Sequence, residues 1–283
     1  MNKIGVIGAG TMGHGIAQVC AMAGYDTWLN DNNAAVLEQA VNNISANLDK
    51  GVARGKVTQA TRDAALEHLH TTQETAVLAQ DADLIIEAVP ERLEIKQRLF
   101  GLLQSASPEH CIFATNTSSL SVAAIAANLD DPGRVIGTHF FNPVHIMALL
   151  EVVVATTTRP AVLESIREFG ERISKEIIIV RDVPGFATSR LGVCLGMEAI
   201  RMVEEQVASP QDIDKAMVLG YRHPIGPLKL TDLVGLDVRM AIGSYLAKEL
   251  GNEAFKPPEL MKTMVNEGQL GKKSGQGFYS WSD

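Results

Sequence analysis

The stretch Lys3-Ile4-Gly5-Val6-Ile7-Gly8-Ala9-Gly10-Thr11-Met12-Gly13 decides the fold. An apolar, β-branched run passes directly into three glycines spaced GxGxxG, and a helical pattern follows from there to Ala23. Each glycine has its own use: Gly8 permits a tight turn, Gly10 lets backbone approach a pyrophosphate, and Gly13 lets the helix pack closely on the strand. Phosphates would sit at the helix N-terminus, where N–H groups and the dipole favour anions. Gly8, Gly10, Thr11, Met12 and Gly13 are therefore the expected phosphate-binding residues. Gly24 ends the helix, and a second strand at 27–30 leads into Asp31, eighteen residues beyond Gly13. That is where an acid would hydrogen-bond ribose hydroxyls. An anionic Asp31 repels a 2′-phosphate, and no arginine follows in Asn32-Asn33-Ala34, so NAD is preferred to NADP. His14, just past the loop, reads as a helix-surface residue.

Outward from this loop, buried strands are expected at 3–7, 27–30, 83–89, 111–115, 135–139 and 150–155. Helices lie between most of them, at 10–23, 34–50, 92–104 and 120–127. Strands interleaved with helices imply βαβ units and a parallel sheet covered on both faces. A further apolar run at 176–180 ends in Asp182-Val183-Pro184-Gly185, where proline and glycine break the pattern. After the break only helices are expected, at 186–206, 212–217, 230–250 and 258–266, with Ser209-Pro210 as a helix start. The expected fold is α/β: a Rossmann-type, mostly parallel sheet over residues 1–184, and a second, all-helical C-terminal domain over 185–283.

Composition agrees. At ~150 residues per domain, 283 residues suggest two domains. With 46% hydrophobic and 20% charged residues, disordered and fibrous classes are excluded. A net charge of −8 argues against broad binding to nucleic acid or an anionic membrane surface. No apolar run reaches the ~18–20 residues of a membrane span. Met1-Asn2-Lys3 enters the first strand directly, with no secretory signal expected. Cys20, Cys111 and Cys194 are isolated, which fits buried thiols in a reducing compartment, not a disulfide framework or a metal site. A soluble cytoplasmic protein is expected.

A second polar cluster, Thr115-Asn116-Thr117-Ser118-Ser119-Leu120, follows an apolar strand, where open α/β sheets bind ligands. Ser118 or Ser119 could equally cap the helix that follows. Thr138-His139-Phe140-Phe141-Asn142-Pro143 ends another strand with an imidazole, and Glu151 stands inside the apolar run Leu149–Val154. A carboxylate there costs several kcal/mol to bury unless it is paired. His139 is a reasonable partner, its ring held and made more basic by the carboxylate. An NAD site, a His–Glu pair and nearby hydroxyls together fit dehydrogenation of an alcohol: a base takes the proton while hydride leaves for the nicotinamide.

These residues give the chain a resemblance to the 3-hydroxyacyl-CoA dehydrogenase family, over nearly its whole length. The landmarks are Gly8–Gly13, Ile86-Glu87-Ala88-Val89-Pro90-Glu91, Asn116–Leu120, His139–Pro143, Pro184-Gly185-Phe186, His223-Pro224-Ile225-Gly226-Pro227 and Gly271-Lys272-Lys273-Ser274-Gly275. The resemblance implies that His139 is the base for the C3 hydroxyl, that Glu151 orients it, and that Ser118 hydrogen-bonds the substrate oxygen. It implies further cofactor contacts from Asp31, Glu91, Lys96, Ser118, Asn142 and Lys273. On the residues alone, Glu91 and Lys96 are helix-surface charges and Lys272–Lys273 a solvated tail. For an acyl-CoA it implies a helical arm near 34–70. Lys50, Arg54 and Lys56 form a basic cluster there, with Arg54 and Asn47 as substrate contacts; a solvated helix face is the other reading.

Four positions depart from the family pattern. Ser189 stands where an asparagine amide is usual, and a shorter hydroxyl reaches substrate weakly or through water. His145 replaces a proline and Ala148 a lysine; His145 reads as lining of the substrate cleft. Asn47 replaces a serine on the arm. A homodimer is implied, through an apolar face of the helical domain that includes Leu191, Leu195, Met197, Met202, Val203, Leu233 and Leu236. Two other readings stand beside this one: a same-fold dehydrogenase of a sugar acid, of the gulonate type, and a non-catalytic NAD(H)-binding structural or sensor protein.

Overall fold

A computed structural model describes residues 1–281 and divides the chain into two compact units, Met1–Val183 and the segment from Pro184 onward. The first unit is built on one eight-stranded sheet. Its strands are β1 (Lys3–Ile7), β2 (Asp26–Asn30), β3 (Leu69–Thr72), β4 (Leu84–Glu87), β5 (Ile112–Thr115), β6 (Val135–Phe140), β7 (Leu149–Val154) and β8 (Glu176–Arg181). They lie in the order β3-β2-β1-β4-β5-β6-β7-β8. Helices α1 (Thr11–Met22), α2 (Ala34–Ala53), α3 (Gln59–Glu67), α4 (Thr75–Ala79), α5 (Leu93–Ala106), α6 (Val122–Ala126) and α7 (Pro160–Arg172) connect them. The central strands are apolar except near their ends, as expected where helices cover both faces. Ile4, Val6, Leu84, Ile86, Ala114 and Ile136 pack with Ile16, Leu37, Ile44, Leu48 and Phe169 of the helices in one core.

The chain leaves β1 toward β2 and β3, then returns to the other side of β1 as β4. That reversal opens the crevice at the carboxyl ends of the strands where such sheets bind ligands. Every neighbouring pair is parallel except β6–β7, which is antiparallel. Residues at the start of β7 therefore reach the same edge as those ending β1, β4, β5 and β6.

Three features differ from the sequence reading. Leu69-His70-Thr71-Thr72 has one apolar residue, yet it forms the edge strand β3 on β2, with His70 against the Trp28 ring at 5.0 Å. Neither Ser118 nor Ser119 caps α6: Ser121 does, accepting from the Ala124 N–H, and Asp182 accepts from the Val122 and Ala123 N–H groups. The helix expected at 230–250 is two helices, broken at Gly235, whose φ of +103° favours glycine.

The second unit consists of α8 (Thr188–Glu204), α9 (Pro210–Lys215), α10 (Pro227–Val234), α11 (Leu236–Leu250) and α12 (Glu259–Asn266), with short turns between them. Ser209 caps α9 with Pro210 in its first turn, as its sequence indicated. Val193, Met197, Ile200, Leu228, Leu236, Leu246 and Met261 form its core. Met197 and Leu236 thus pack within their own unit and leave the expected dimer face, whereas Leu191 is 73% and Leu233 46% exposed. Buried Asp232 ties down the C-terminal segment, accepting from the Phe278 and Tyr279 N–H groups and from the Trp281 indole. Among the described residues, no helix is long and apolar enough to cross a membrane.

The glycine loop is tightly specified. A Cβ on Gly13 would stand 1.6 Å from the Gly8 carbonyl oxygen. Gly13→Ala is expected to cost about 1–3 kcal/mol in the first unit through overpacking and to weaken NADH binding. Urea unfolding and an NADH fluorescence titration check this; an unaltered dissociation constant would separate the loop from the cofactor.

Candidate active site

The functional edge is assembled at the carboxyl ends of the parallel strands. Gly8 N–H donates to the Asn30 carbonyl and Ala88 N–H to the Ile7 carbonyl, tying the ends of β1, β2 and β4 together. Between them lies a groove of about 700 Å³ lined by Gly8, Gly10, Thr11, Met12, Asn30, Asp31, Val89 and Ile95. Helix α1 enters this groove with no side-chain cap and no acid in its first turn. Its N-terminal N–H groups therefore face an acid-free turn, which suits a pyrophosphate. Asp31 lines the same groove while accepting from the Ala9 and Asn33 N–H groups at 2.9 and 3.0 Å. Its carboxylate is held in place at the end of β2, as ribose binding needs. Groove, helix terminus and acid fit NAD.

The next strand end carries a buried ionic network. Glu87, last in β4, and Lys96, on α5, are both 0% exposed. The Lys96 ammonium lies 2.7 and 2.9 Å from the two Glu87 oxygens and 3.1 Å from Glu91 Oε2. The Thr115 hydroxyl and the Val89 N–H also donate to Glu87, at 2.7 and 2.8 Å. Burial pushes the Glu87 carboxyl up, against the opposing pull of Lys96 and these donors. Glu91 in turn accepts from the Thr117 hydroxyl at 2.5 Å and the Ser118 and Ser119 N–H groups at 2.8 and 3.3 Å. Lys96 is thus no helix-surface charge. It ties the turn after β4 to the loop that presents half-buried Ser118. The sequence places Glu87 inside the strand expected at 83–89 and in the 86–91 landmark without a role of its own; the strand ends at Glu87, with its lysine partner nine residues on.

His139 and Glu151 stand directly opposite each other in the antiparallel β6–β7 ladder. Opposed residues in such a ladder project to the same face within touching distance. The His139 Nδ1 lies 2.8 Å from Glu151 Oε2, with Glu151 0% and His139 6% exposed. The Phe141 ring packs on the imidazole at 4.5 Å between centroids. Asn116 accepts from the Phe140 N–H at 2.9 Å and so locks the loop after β5 to the end of β6. The sequence places Asn116 in the polar cluster after β5 and in the 116–120 landmark, without a role for its amide.

A separate cavity of about 690 Å³ is lined by Asn47, Lys50, Arg54 and Lys56 of the arm, by Thr11, His14 and Gln18 of α1, and by Asn142, His145 and Ile146. Thr11 lines both cavities, so the two meet at the glycine loop. Asn142, expected beside the cofactor, is placed here with the arm. The Asn47 amide donates to Gln18 at 3.3 Å. In the second unit, Ser189 lies in the first turn of α8, and the Lys273 ammonium pairs with Asp237 at 2.7 Å, so it is not part of a free tail.

Two family models match this chain: 3-hydroxyacyl-CoA dehydrogenase, NAD binding domain, over residues 3–183, and 3-hydroxyacyl-CoA dehydrogenase, C-terminal domain, over residues 185–281. The chain is 42% identical to the 3-hydroxyadipyl-CoA dehydrogenase of Escherichia coli K12, over 99% of this chain and 59% of that longer protein. It is 40% identical to the 3-hydroxybutyryl-CoA dehydrogenase of Clostridioides difficile, over 99% of each. The crystal structure of FadB2 from Mycobacterium tuberculosis superposes with a TM-score of 0.97 at 40% identity, covering 100% of this chain and 99% of that one.

Removing one member of the buried network leaves the other charge stranded. Lys96→Met is expected to cost about 3–5 kcal/mol, read from urea unfolding of the first unit. Glu87→Gln/Lys96→Met should regain much of that loss, because neither buried charge remains. A single variant as stable as the parent would contradict the pairing.

Proposed function

The chain belongs to the 3-hydroxyacyl-CoA dehydrogenase family, and we propose that it interconverts (3S)-3-hydroxyacyl-CoA, in particular 3-hydroxybutyryl-CoA, with the 3-oxoacyl-CoA. At the coarser level it is an NAD-dependent 3-hydroxyacyl-CoA dehydrogenase. The observation that carries the catalytic reading is the His139–Glu151 pair, buried and registered across the β6–β7 ladder, while 3-hydroxybutyryl-CoA as substrate is supported by relatives of that name.

In this reading Nδ1–H of His139 donates to Glu151, so Nε2 is the nitrogen that exchanges the substrate proton. Nε2 takes the proton from the C3 hydroxyl as the C3–H bond breaks and the C3=O bond forms. NAD, held at the glycine loop and Asp31, supplies the hydride acceptor. Glu151 stabilises the imidazolium that results, which a largely dry site would otherwise disfavour. In the reverse direction the same imidazolium protonates the oxygen at C3. Ser118 hydrogen-bonds that oxygen, with Glu91 and Lys96 holding the loop that carries it. Arg54, Asn47 and the arm hold the CoA. Lys273 keeps the cofactor role the family resemblance gives it, Ser189 reaches substrate weakly or through water in place of the usual asparagine amide, and the exposed apolar residues Leu191 and Leu233 belong to a homodimer face.

His139→Gln is expected to lower kcat by about 10²–10⁴-fold, the usual worth of a positioned general base, and to leave NADH affinity near the parent value. Near-normal turnover of acetoacetyl-CoA would remove His139 from the chemistry. Arg54→Glu should raise KM for acetoacetyl-CoA and leave KM for NADH unchanged. No change in either would favour a small free acid, such as a sugar acid, over a CoA ester. Sedimentation should give a dimer at micromolar protein; a 30.5 kDa species alone would exclude that assembly.

A further inference from the structure

The cavity beside the arm has an unusual charge for this chain. The molecule carries a net −8, yet the charged and titratable residues lining the cavity are Lys50, Arg54, Lys56, His14 and His145, without one carboxylate. A smaller cavity of about 290 Å³ shares Met22, His145 and Ile146 with it and adds Arg172 and Lys175, again with no acid. Seven potential cations on α1, α2, the turn after α2, the 142–148 segment, α7 and the turn before β8 thus face one trough.

Two of the seven are committed to the fold. Lys175 donates to the Val144 and Met147 carbonyls at 2.5 and 2.6 Å, holding the segment that carries His145. Arg172 donates to the Ala23 and Gly24 carbonyls and covers the Tyr25 ring. His14 Nδ1 lies 2.8 Å from the Gly10 carbonyl, which fixes Nδ1–H as the donor and leaves proton exchange to Nε2. Lys50, Arg54 and Lys56 supply permanent charge, and the two imidazoles supply charge that depends on pH.

We infer that His14 and His145 form a proton-linked clamp for the diphosphate of CoA, so that capture of an acyl-CoA takes up protons from solvent. The inference rests on the acyl-CoA reading above and extends it to residues that the reading leaves without a role. Without a ligand the trough disfavours a charged ring: burial, then the neighbouring His14 and Lys175, hold the His145 imidazole below its usual range. A polyanion placed among these groups reverses the balance, because an opposite charge within a few ångströms favours the protonated imidazole. The sign follows: CoA binds more tightly as pH falls from 8 toward 6, by up to about tenfold per pH unit for each fully linked proton.

The test is calorimetric titration of the full chain with CoA at pH 7, in buffers of different ionisation enthalpy. CoA carries no acyl group, so an uptake seen with it belongs to the phosphate end, and pantetheine, which lacks phosphates, serves as the control. The expected result is net proton uptake with CoA and none with pantetheine. The uptake should be reduced in His145→Gln and lost in His14→Asn/His145→Gln. CoA binding without proton uptake, or uptake unchanged in the double variant, overturns the clamp and leaves the acyl-CoA reading standing. No CoA binding by a protein that still binds NADH overturns both.

Discussion

The reversal of one strand brings His139 and Glu151 together. Had β7 joined β6 in parallel, like every other neighbouring pair in the sheet, the run containing Glu151 would have met β6 in a different register. Antiparallel pairing sets His139 and Glu151 face to face. A carboxylate with no exposed surface is tolerable only with a partner that answers its charge or its hydrogen bonds. The imidazole is that partner. The same constraint holds the ring's orientation, and in the proposed reaction that requirement of folding would serve as preorganisation for proton transfer.

A second buried carboxylate, three strands away on β4, holds a comparable network. Glu87 and Lys96 close an ionic network inside the unit, and Glu91 extends it to the backbone around Ser118. The loops after β4 and β5, along with the end of β6 through Asn116, are thereby referenced to one another by hydrogen bonds. The site is a set of strand ends held in mutual register, with each polar group also serving the packing beneath it.

Much of this was legible because the signals were local. Gly8, Gly10 and Gly13 followed by Asp31 mark the dinucleotide edge by spacing alone, and Glu151 stands out as an acid in an apolar strand. What escaped depends on distant partners. Leu69–Thr72 is too polar to read as a strand and becomes one only because the open edge of β2 offers hydrogen bonds. Glu87 lies inside the strand expected at 83–89, and its partner Lys96, on a helix, reads from sequence as a surface charge although it is buried against that carboxylate. Ser121 caps α6 where Ser118 and Ser119 were the nearer candidates, because Asp182, some sixty residues on, helps to set where the helix begins. The 230–250 stretch reads as one helix because nothing in its apolar spacing announces the positive φ at Gly235. Met197 and Leu236 were assigned outward because apolar periodicity does not say which copy of the chain a face will cover.

The position of one proton on the His139 ring decides which nitrogen can act as the base. The most direct measurement is the nitrogen NMR spectrum of the protein labelled in its histidine rings, with the His139 signals assigned by comparison with His139→Gln. The neutral ring is expected to carry its proton on Nδ1, toward Glu151, with Nε2 unprotonated. A neutral ring protonated on Nε2 would contradict His139 as the base, since that nitrogen could not then accept the substrate's proton.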